Sequence, residues 1–492
     1  MTDDEMATAR AIRVAKAMLA TWPPNRPGRP DEAAVIAALL KSPRPSRPAP
    51  AASAPCDGRL LIRTHLYRHG SYGLIAEHIG RGLETLGVPV AYSPITRSEE
   101  YFPLNDWVAS RVAGNLDAFD AEMLLDVPIG GPVPARKCVW FSMWEVDRLP
   151  HLAAARFNQC VRVVVPCSWN ATVWAASGVN RDLIRVVPLG VDHPAGFTPD
   201  TPPPADRFVV GMAGRLSHGG VRKNLIAGRR AFVEALGDAE DACLRMRIFK
   251  DDLPQLAGIE PHDRVEVDTR PMLVAAMARW TKGLSVLLVP SRGEGFGLHT
   301  AEALACGRPV IAAFATGTAD VVDDSCGWRL AYEWERAGEV LDTQEIFRHY
   351  RAGRWAAPTH ESMVARLREA YDDWKSGGVR LAAKGEAGAR RASAWTWEST
   401  ARRLLVVLHE AGLVPMPAVA AASAPLVDAI AACPDRRDGE SCCGGVVHTC
   451  GKGRGRGERS LVGTIECARC ALAGYLEPSI LPDLVPFGME AV

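Results

Sequence analysis

Two glutamates, Glu294 and Glu302, are the residues of this chain best placed to do chemistry. Seven residues separate them, among them Phe296, Gly297 and Leu298. The pattern predicts that the backbone amides of these three residues lie at the start of a helix, where unpaired N–H groups and the helix dipole favour a negatively charged ligand. The stretch is therefore a candidate anion site with two carboxylates at its mouth.

The residues around the glutamates predict a strand, a loop, a helix and a second strand. Residues 285–289 form an apolar run that is short enough for a buried parallel strand. A helix is predicted from about Gly297 to Cys306, because apolar residues recur on one face at three- and four-residue spacing. Gly307 is expected to end this helix, and residues 309–311 begin the next strand. This is half of a Rossmann-like unit, with one glutamate in the loop and the other in the helix.

A second strand-to-helix loop carries three cations, Arg215, Arg222 and Lys223, beside Gly219 and Gly220. A flexible basic loop suits a diphosphate, because arginine binds phosphate through two parallel hydrogen bonds and lysine adds a point charge. A solvated basic loop without a ligand explains the same residues equally well.

Two loops in the first half of the chain have a similar arrangement. Gly70, Ser71 and Gly73 lie between a strand-like run and a helical segment, so their amides are candidates for a phosphate or sugar. An ordinary strand-to-helix turn is at least as consistent with these glycines. Glu145 follows another strand candidate, at the carboxyl end where ligands bind in open α/β sheets. It is equally consistent with a cap on the next helix.

Length and composition predict a globular protein of two or three domains. The 492 residues carry 57 Lys+Arg and 57 Asp+Glu, and this balance argues against holding nucleic acid through long-range attraction. The first residues are acidic where a signal peptide requires basic ones. The most apolar long stretch, 414–433, is interrupted by prolines and an aspartate. The sequence therefore predicts a cytoplasmic protein without a transmembrane segment.

The 13 cysteines are unevenly distributed, since seven are scattered singly and six crowd the last 60 residues. Scattered single cysteines suit a reducing compartment. In the tail, Cys467 and Cys470 have the two-residue spacing of zinc ligands, and Cys442 and Cys450 are candidates for the remaining thiolates. Unliganded thiols or disulfides are the alternative. A short tail rich in glycine and arginine would hardly fold on core burial alone, which favours a zinc-ribbon-like module.

Alternating strands and helices predict an α/β protein with two parallel, doubly wound sheets. Proline-rich runs mark the boundaries between segments. The predicted segments are an N-terminal extension and linker over 1–56, a Rossmann-like domain over 57–200, a second Rossmann-like domain over 201–412, a linker over 413–430 and a cysteine-rich tail over 431–492.

Four stretches of the chain resemble retaining glycosyltransferases of the GT-B class, the family 4 type (glycosyl transferases group 1). In chain order they are PLGVD, FVVGMAGRL with the RKN that follows, SRGEGFGLHTAEALACGRPVIA and SAWTWEST. The resemblance covers roughly residues 59–412, and its most specific part is Glu294–Glu302 with its flanks. It implies an N-terminal acceptor domain and a C-terminal nucleotide-sugar domain that face each other across a cleft. It also implies that the last helix, 395–412, packs back on the first domain.

The resemblance gives the candidate residues roles around a nucleotide-diphosphate sugar. Arg215 and Lys223 would neutralise the diphosphate as negative charge develops on the leaving nucleotide. Glu294 would hold the hydroxyls of the donor sugar with the help of the three helix-start amides, and Glu302 would accept hydrogen bonds from the ribose. The Gly70–Gly73 loop would reach the phosphates from the other domain.

The chemistry of the residues agrees with a glycosyl transfer that uses no metal at the active site. An oxocarbenium-like state needs a carboxylate near the sugar and cations at the leaving phosphate, and the chain has no Asp-x-Asp pair to bridge a metal. Many relatives have a histidine at the end of a first-domain strand, where this chain has Glu145 in a Trp-Glu-x-x-x-x-Pro motif. Glu145 is therefore a candidate catalytic residue beside Glu294. We expect the acceptor to be a glycan, a lipid-linked molecule or a protein.

Other functions would use the same scaffold. One is a non-catalytic protein that binds nucleotide-sugars or glycans, although the complete set of Arg215, Lys223 and the two glutamates argues against it. Another is a nucleic-acid-directed glycosyltransferase that docks through the cysteine-rich tail. A phosphorylase or an epimerase on this fold is a third.

Overall fold

The structure is a computed structural model that describes residues 31, 59–66, 71–95, 105–129, 133, 136–216, 220–340, 349–351, 353–417, 436–437 and 449–450. The chain divides into two compact units, Met1–Pro55 and Cys56–Val492. Both large sheets belong to the second unit.

The first domain is built on a six-stranded parallel sheet. Five of its six strands are short runs that are buried along most of their length, which is typical of parallel strands covered on both faces, whereas the edge strand Ile184–Val186 is partly exposed. The sheet order is β2-β1-β3-β4-β5-β6, with β1 Leu60–Thr64, β2 Val90–Pro94, β3 Ala121–Leu125, β4 Lys137–Phe141, β5 Arg162–Val165 and β6 Ile184–Val186. The helices of this domain are α1 Ser71–Thr85, α2 Asp106–Ala109, α3 Ala153–Phe157 and α4 Ser168–Ala176.

The second domain repeats this plan with another six-stranded parallel sheet. The sheet order is β12-β11-β10-β7-β8-β9, with β7 Phe208–Ala213, β8 Ala242–Arg247, β9 Val265–Asp268, β10 Val286–Val289, β11 Val310–Ala312 and β12 Gly327–Arg329. Its helices up to β12 are α5 Gly220–Lys223, α6 Leu225–Leu236, α7 Val274–Lys282, α8 Leu298–Ala305 and α9 Thr318–Val321. The predicted pair of doubly wound α/β sheets is confirmed.

Each sheet has a topological switch point, where consecutive loops diverge to opposite faces and ligands bind in folds of this kind. In the first sheet it lies between β1 and β3, and in the second it lies between β7 and β10. The predicted basic loop follows β7 and the loop of Glu294 follows β10. The sheet order therefore brings these two loops together.

The unit that carries the two glutamates has the predicted shape. The strand β10 begins one residue later than predicted, and α8 is one residue shorter at each end than the predicted helix. Gly297 precedes α8 with a φ of 93°, and Gly307 follows it with a φ of 67°. Glycine is the residue that adopts this left-handed conformation without steric cost, so both positions delimit the helix.

A hairpin of the second domain packs on the first domain. It consists of β13 Tyr332–Arg336 and β14 Arg354–Pro358, which pair antiparallel, with α10 Ala337–Val340 and residues 349–351 between them. Tyr350 and Trp355 from this segment share a buried cluster with Trp144 and Val146 of the first domain.

The chain returns to the first domain at its last described helix. After α11 His360–Lys375 and α12 Val379–Ala392, the helix α13 Trp397–Glu410 packs on α1. The ring of Trp397 stacks on His78 with centroids 4.7 Å apart. The chain thus crosses between the two domains twice, first near Val191 and again near Trp395. The two crossings lie side by side, because the Val191 amide donates to the Trp395 carbonyl at 2.9 Å. A Cβ at Gly190 would lie 2.4 Å from the Trp397 nitrogen.

The part of the chain that the structure describes contains no helix long and apolar enough to cross a membrane. In the tail it describes two short strands, β15 Arg436–Arg437 and β16 Thr449–Cys450, which pair antiparallel. The predicted segment boundaries stay predictions.

Candidate active site

The N-terminus of α8 is a tight turn that is anchored in the core. Phe296 is 3% exposed, and its ring meets Trp395 edge-on with centroids 6.3 Å apart. Gly297 then turns the chain into α8, so the amides of residues 296–298 lie at the helix start as predicted. Amides in the first turn of a helix lack intrahelical acceptors, and the positive end of the helix dipole adds to their attraction for an anion.

Glu294 contacts two cations from α5, across the switch point of the second sheet. Lys223 Nζ lies 2.7 Å from Glu294 Oε1, and Arg222 Nη1 lies 3.4 Å from Oε2. Arg222 Nη1 also donates to the Gly293 carbonyl at 2.7 Å. The backbone of the loop is fixed as well, because the Glu294 amide donates to Thr316 Oγ1 at 3.1 Å.

Glu294 and Arg222 are charged at neutral pH. Burial by itself would raise the pKa of Glu294, but the charges of Lys223 and Arg222 outweigh it and lower the pKa to about 2. Burial lowers the pKa of Lys223, and Glu294 opposes that effect. Burial would lower the pKa of Arg222 too, but Glu145 and Glu294 raise it above the ordinary arginine value. The site therefore holds an ionised carboxylate against a guanidinium that stays charged.

Glu145 reaches the same cluster from the first domain. Its Oε2 accepts a hydrogen bond of 2.7 Å from the Tyr350 hydroxyl, and its Oε1 lies 3.9 Å from Arg222 Nη2. A Cβ at Gly293 would lie 2.1 Å from the Glu145 carbonyl oxygen, so a glycine is needed there for the two domains to approach. The next helix, α3, begins at Ala153, and Glu145 does not cap it.

Arg215 lies elsewhere on the basic loop. Its Nε is 3.2 Å from Asp252 Oδ2, and its guanidinium lies 4.3 Å from the centre of the Phe249 ring. The structure brings Arg222 to Glu294, whereas no contact joins Arg215 to Glu294 among the described residues. Gly219 lies outside the described residues. The diphosphate role of Arg215 stays a prediction.

The predicted glycine loop of the first domain is described in part. Gly70 lies outside the described residues, Ser71 is the first residue of α1, and Gly73 lies in its first turn. Tyr72, between them, is partly buried, and burial followed by the charges of Glu145 and Asp126 raises its pKa well above the ordinary value. The start of α1 thus lies near the Glu145 carboxylate.

A histidine and an aspartate lie at the switch point of the first sheet. His65 follows β1, Asp126 follows β3, and His65 Nε2 is 2.9 Å from Asp126 Oδ1. Each residue directly follows a strand of the first sheet. A polar residue at the carboxyl end of a strand is the sequence signal by which both can be found.

Glu302 lies on α8 beside the first domain. Its Oε2 is 2.9 Å from His299 Nδ1, and its side chain is 10% exposed. Burial lowers the pKa of His78 on α1, while the charges of Asp192 and Glu302 act against it. The predicted ribose contact is not tested by this arrangement.

The predicted zinc ligands fall in the tail. Cys442, Cys467 and Cys470 lie outside the described residues, and Cys450 lies in β16 without its side-chain surroundings being described. Elsewhere, the described ranges contain no group of three or more His, Cys, Asp or Glu residues that could hold a metal ion.

The resemblance gave no role to Arg222, although the sequence places it among the cations of the basic loop, and the sequence did not mark Tyr350 at all. Arg222 lies next to Lys223 in the basic loop, and this position is the sequence signal that identifies it as a site residue. Tyr350 lies 205 positions from Glu145, and no local pattern marks it.

Comparisons with known proteins find similarity mainly in the second domain. Residues 207–369 match the family model for glycosyl transferases group 1. The D-inositol 3-phosphate glycosyltransferase of Xylanimonas cellulosilytica is 33% identical over 173 residues, which cover 30% of this chain and 39% of that protein. Its counterpart from an Arthrobacter species is 28% identical over 249 residues, which cover 47% of this chain and 51% of that protein. The chain thus spans about half or less of the curated relatives it matches.

A crystal structure of Anabaena Alr3699/HepE in complex with UDP aligns over 72% of this chain and 100% of that chain, with 15% identity and a TM-score of 0.48. The matched residues of the family model include β7, β10, α5 and α8, and therefore Arg222, Lys223 and Glu294. Residues 207–369 of this chain are therefore similar to the glycosyl transferases group 1 family.

Proposed function

We propose that this protein is a retaining glycosyltransferase that moves a sugar from a nucleotide-diphosphate sugar to an acceptor, with no metal at its active site. The observation that carries the proposal is the contact of Lys223 and Arg222 with Glu294 beside the N-terminus of α8. A diphosphate requires cations and amide donors, and a sugar requires a fixed carboxylate. All three occur together at the switch point of the second sheet.

The cations and amides would act on the leaving group. When the bond between the anomeric carbon and the diphosphate oxygen lengthens, negative charge develops on the phosphate, and preorganised donors stabilise it. Lys223, Arg222 and the amides of residues 296–298 would supply these donors. Arg215 is proposed as a further cation and Glu302 as the acceptor of the ribose hydroxyls. The Gly70–Gly73 loop would approach the phosphates from the first domain.

Glu294 would act as an ionised hydrogen-bond acceptor. With a pKa of about 2 it holds no proton at neutral pH, so it is not suited to act as a general acid. It can accept hydrogen bonds from the hydroxyls of the donor sugar and stabilise the positive charge of an oxocarbenium-like state.

Retention would follow from attack on the same face of the sugar as the leaving group. The acceptor oxygen forms a bond with the anomeric carbon, the bond to the diphosphate oxygen breaks, and the acceptor proton passes to the leaving phosphate. Glu145 lies across from Glu294 on the first domain, and we assign it to orienting the donor or acceptor in this step.

The test is a panel of nucleotide-sugars that varies the base and the sugar, with release of the free nucleotide as readout. Acceptors would include glycans, lipid-linked molecules, proteins and D-inositol 3-phosphate, which appears in the names of the relatives. Undiminished turnover in EDTA is expected, and NMR of the product should show the anomeric configuration of the donor. Loss of turnover in EDTA would reject metal independence, and an inverted product would reject retention.

Binding of donors without release of a nucleotide from any of them would instead identify a non-catalytic binding protein. Strongly salt-dependent DNA binding that disappears on deletion of residues 431–492 would favour the nucleic-acid-directed alternative.

We also infer a cytoplasmic location and a zinc ion in the tail. Six cysteines of the two domains are free and buried, as suits a reducing compartment. Cys442, Cys450, Cys467 and Cys470 are the proposed zinc ligands, and metal analysis of the full chain against a Cys467→Ser variant would test them.

A further inference from the structure

We propose that Tyr350, on the hairpin of the second domain, is a positioning residue that holds the Glu145 carboxylate of the first domain in its working orientation. This inference rests on the proposed function, because it requires Glu145 to lie at the active site.

The two oxygens of Glu145 are held from two directions. The Tyr350 hydroxyl donates to Oε2 at 2.7 Å, and Arg222 Nη2 lies 3.9 Å from Oε1. A neutral donor on one oxygen and a cation near the other fix the plane of a carboxylate better than either does alone. Arg222 also contacts Glu294, so the orientation of Glu145 is linked to the cluster of the second domain.

The hydroxyl of Tyr350 is itself held in place. Its ring stacks on Trp144, with centroids 4.3 Å apart and ring planes inclined by 4°. Trp144 is 2% exposed and Tyr350 is 9% exposed. Burial and the neighbouring Glu145 raise the pKa of Tyr350 well above the ordinary value. The hydroxyl therefore keeps its proton at neutral pH and can donate a hydrogen bond to the carboxylate.

The hairpin is attached to the same loop of the first domain that carries Glu145. Asp147 accepts hydrogen bonds from the Arg354 amide at 2.7 Å and from Arg354 Nε at 2.8 Å, and its own amide donates to the Arg354 carbonyl at 2.9 Å. Trp355 is fully buried in the cluster with Val146. The second domain thus orients a first-domain carboxylate through a contact that forms only when the hairpin is docked.

Tyr350→Phe separates positioning from packing, because it removes the hydroxyl and keeps the ring that stacks on Trp144. Loss of a hydrogen bond to a charged group should lower kcat about tenfold and leave the donor KM nearly unchanged. If Tyr350 acts through Glu145, the double variant Glu145→Gln/Tyr350→Phe should be as slow as Glu145→Gln alone. Tyr371→Phe is the matched control, since it removes a hydroxyl that donates to Asp241 on the far side of the second domain at 2.6 Å.

A rate for Tyr350→Phe equal to that of Tyr371→Phe would overturn the proposal, and so would losses that multiply in the double variant. Crystal structures of the wild type and of Tyr350→Phe give a second readout that needs no activity. The Glu145 carboxylate is expected to leave its position in the variant, and an unchanged position would overturn the proposal. A wild type that transfers no sugar would count against the proposed function alone, because the crystal structures still decide the role of Tyr350.

Discussion

Arg222 is the residue that connects the candidate site across the two domains. It lies within 3.4 Å of Glu294 in the second domain and 3.9 Å of Glu145 in the first. A largely buried cation between two carboxylates compensates their charges, and removal of any partner leaves the others uncompensated. At the residue scale, catalysis and stability therefore depend on the same few charges.

Replacing Lys223 with Met should reduce turnover strongly. The change removes a cation from the leaving diphosphate, and loss of one preorganised donor typically costs about 10²–10³-fold in rate. The measurement is kcat/KM for the preferred donor. Lys375→Met is the control, because Lys375, the last residue of α11, pairs with Asp241 and its side chain is 52% exposed. Near-normal turnover of Lys223→Met would show that the lysine does not serve the diphosphate.

The low pKa of Glu294 predicts how stability changes with pH. The carboxyl has a pKa of about 2 in the folded protein against an ordinary value of 4.5, so its ionised form stabilises the fold fully above about pH 4.5. This contribution is lost as the pH falls from there towards 2. Wild type should exceed Glu294→Gln in free energy of unfolding by about 3 kcal/mol at pH 7, and the difference should shrink only below pH 4.5.

Urea unfolding between pH 7 and pH 3 measures this difference. Glu398→Gln is the control, because that side chain is 65% exposed and pairs with Arg402 within α13, a contact worth about 0.5 kcal/mol or less. A difference between wild type and Glu294→Gln that stays constant down to pH 3 would contradict the prediction.

At the scale of elements, local sequence patterns predicted the features that depend on residues close together in the chain. The apolar run of β10, the helix α8 and the glycines at its ends depend on residues a few positions apart, so their patterns can be read directly. The partner of Glu145 could not be predicted in this way, because Tyr350 reaches it through a hairpin whose docking is a tertiary event. Likewise, spacing alone does not reveal that Arg222 approaches Glu294 while Arg215 turns towards Asp252.

Two tryptophans on the hairpin provide a test of its docking. Trp355 is fully buried, whereas Trp334 in the facing strand is 41% exposed. Trp355→Ala should lower the free energy of unfolding by about 3–5 kcal/mol, because it removes a large side chain from a closed core. Trp334→Ala should cost about 1 kcal/mol or less, as is usual at partly exposed sites. Chemical denaturation of both variants checks the prediction, and equal losses would mean that the hairpin is not held by burial.

At the scale of the whole molecule, the two domains are also joined at the start of α4. Both the amide and the hydroxyl of Ser168 donate to the Asp320 carboxylate, at 2.6 and 2.7 Å. Asp320 belongs to α9 of the second domain, so it satisfies helix-start donors of the first domain from outside.

Asp320→Ala should therefore destabilise the protein by about 1–2 kcal/mol, as loss of a helix cap does. Asp324→Ala is the matched control, because its side chain is 72% exposed and pairs with Arg329, so that its loss should cost about 0.5 kcal/mol or less. Thermal unfolding of both variants at one pH compares them. The same melting temperature for both would show that the Ser168–Asp320 contact does not hold the domains.

The paired crossings between the domains determine how one domain can move against the other. Two bodies joined by a single chain can twist about that chain and swing in any direction. Here the second crossing is bonded to the first at Val191 and Trp395, and Gly190 lets the backbones touch. We therefore expect any rotation of one domain against the other to pivot at this doubled segment. Glu145 and Glu294 lie on opposite sides of the interface, so they would separate and approach each other along a single path. Each closure would return the two carboxylates to the same relative position.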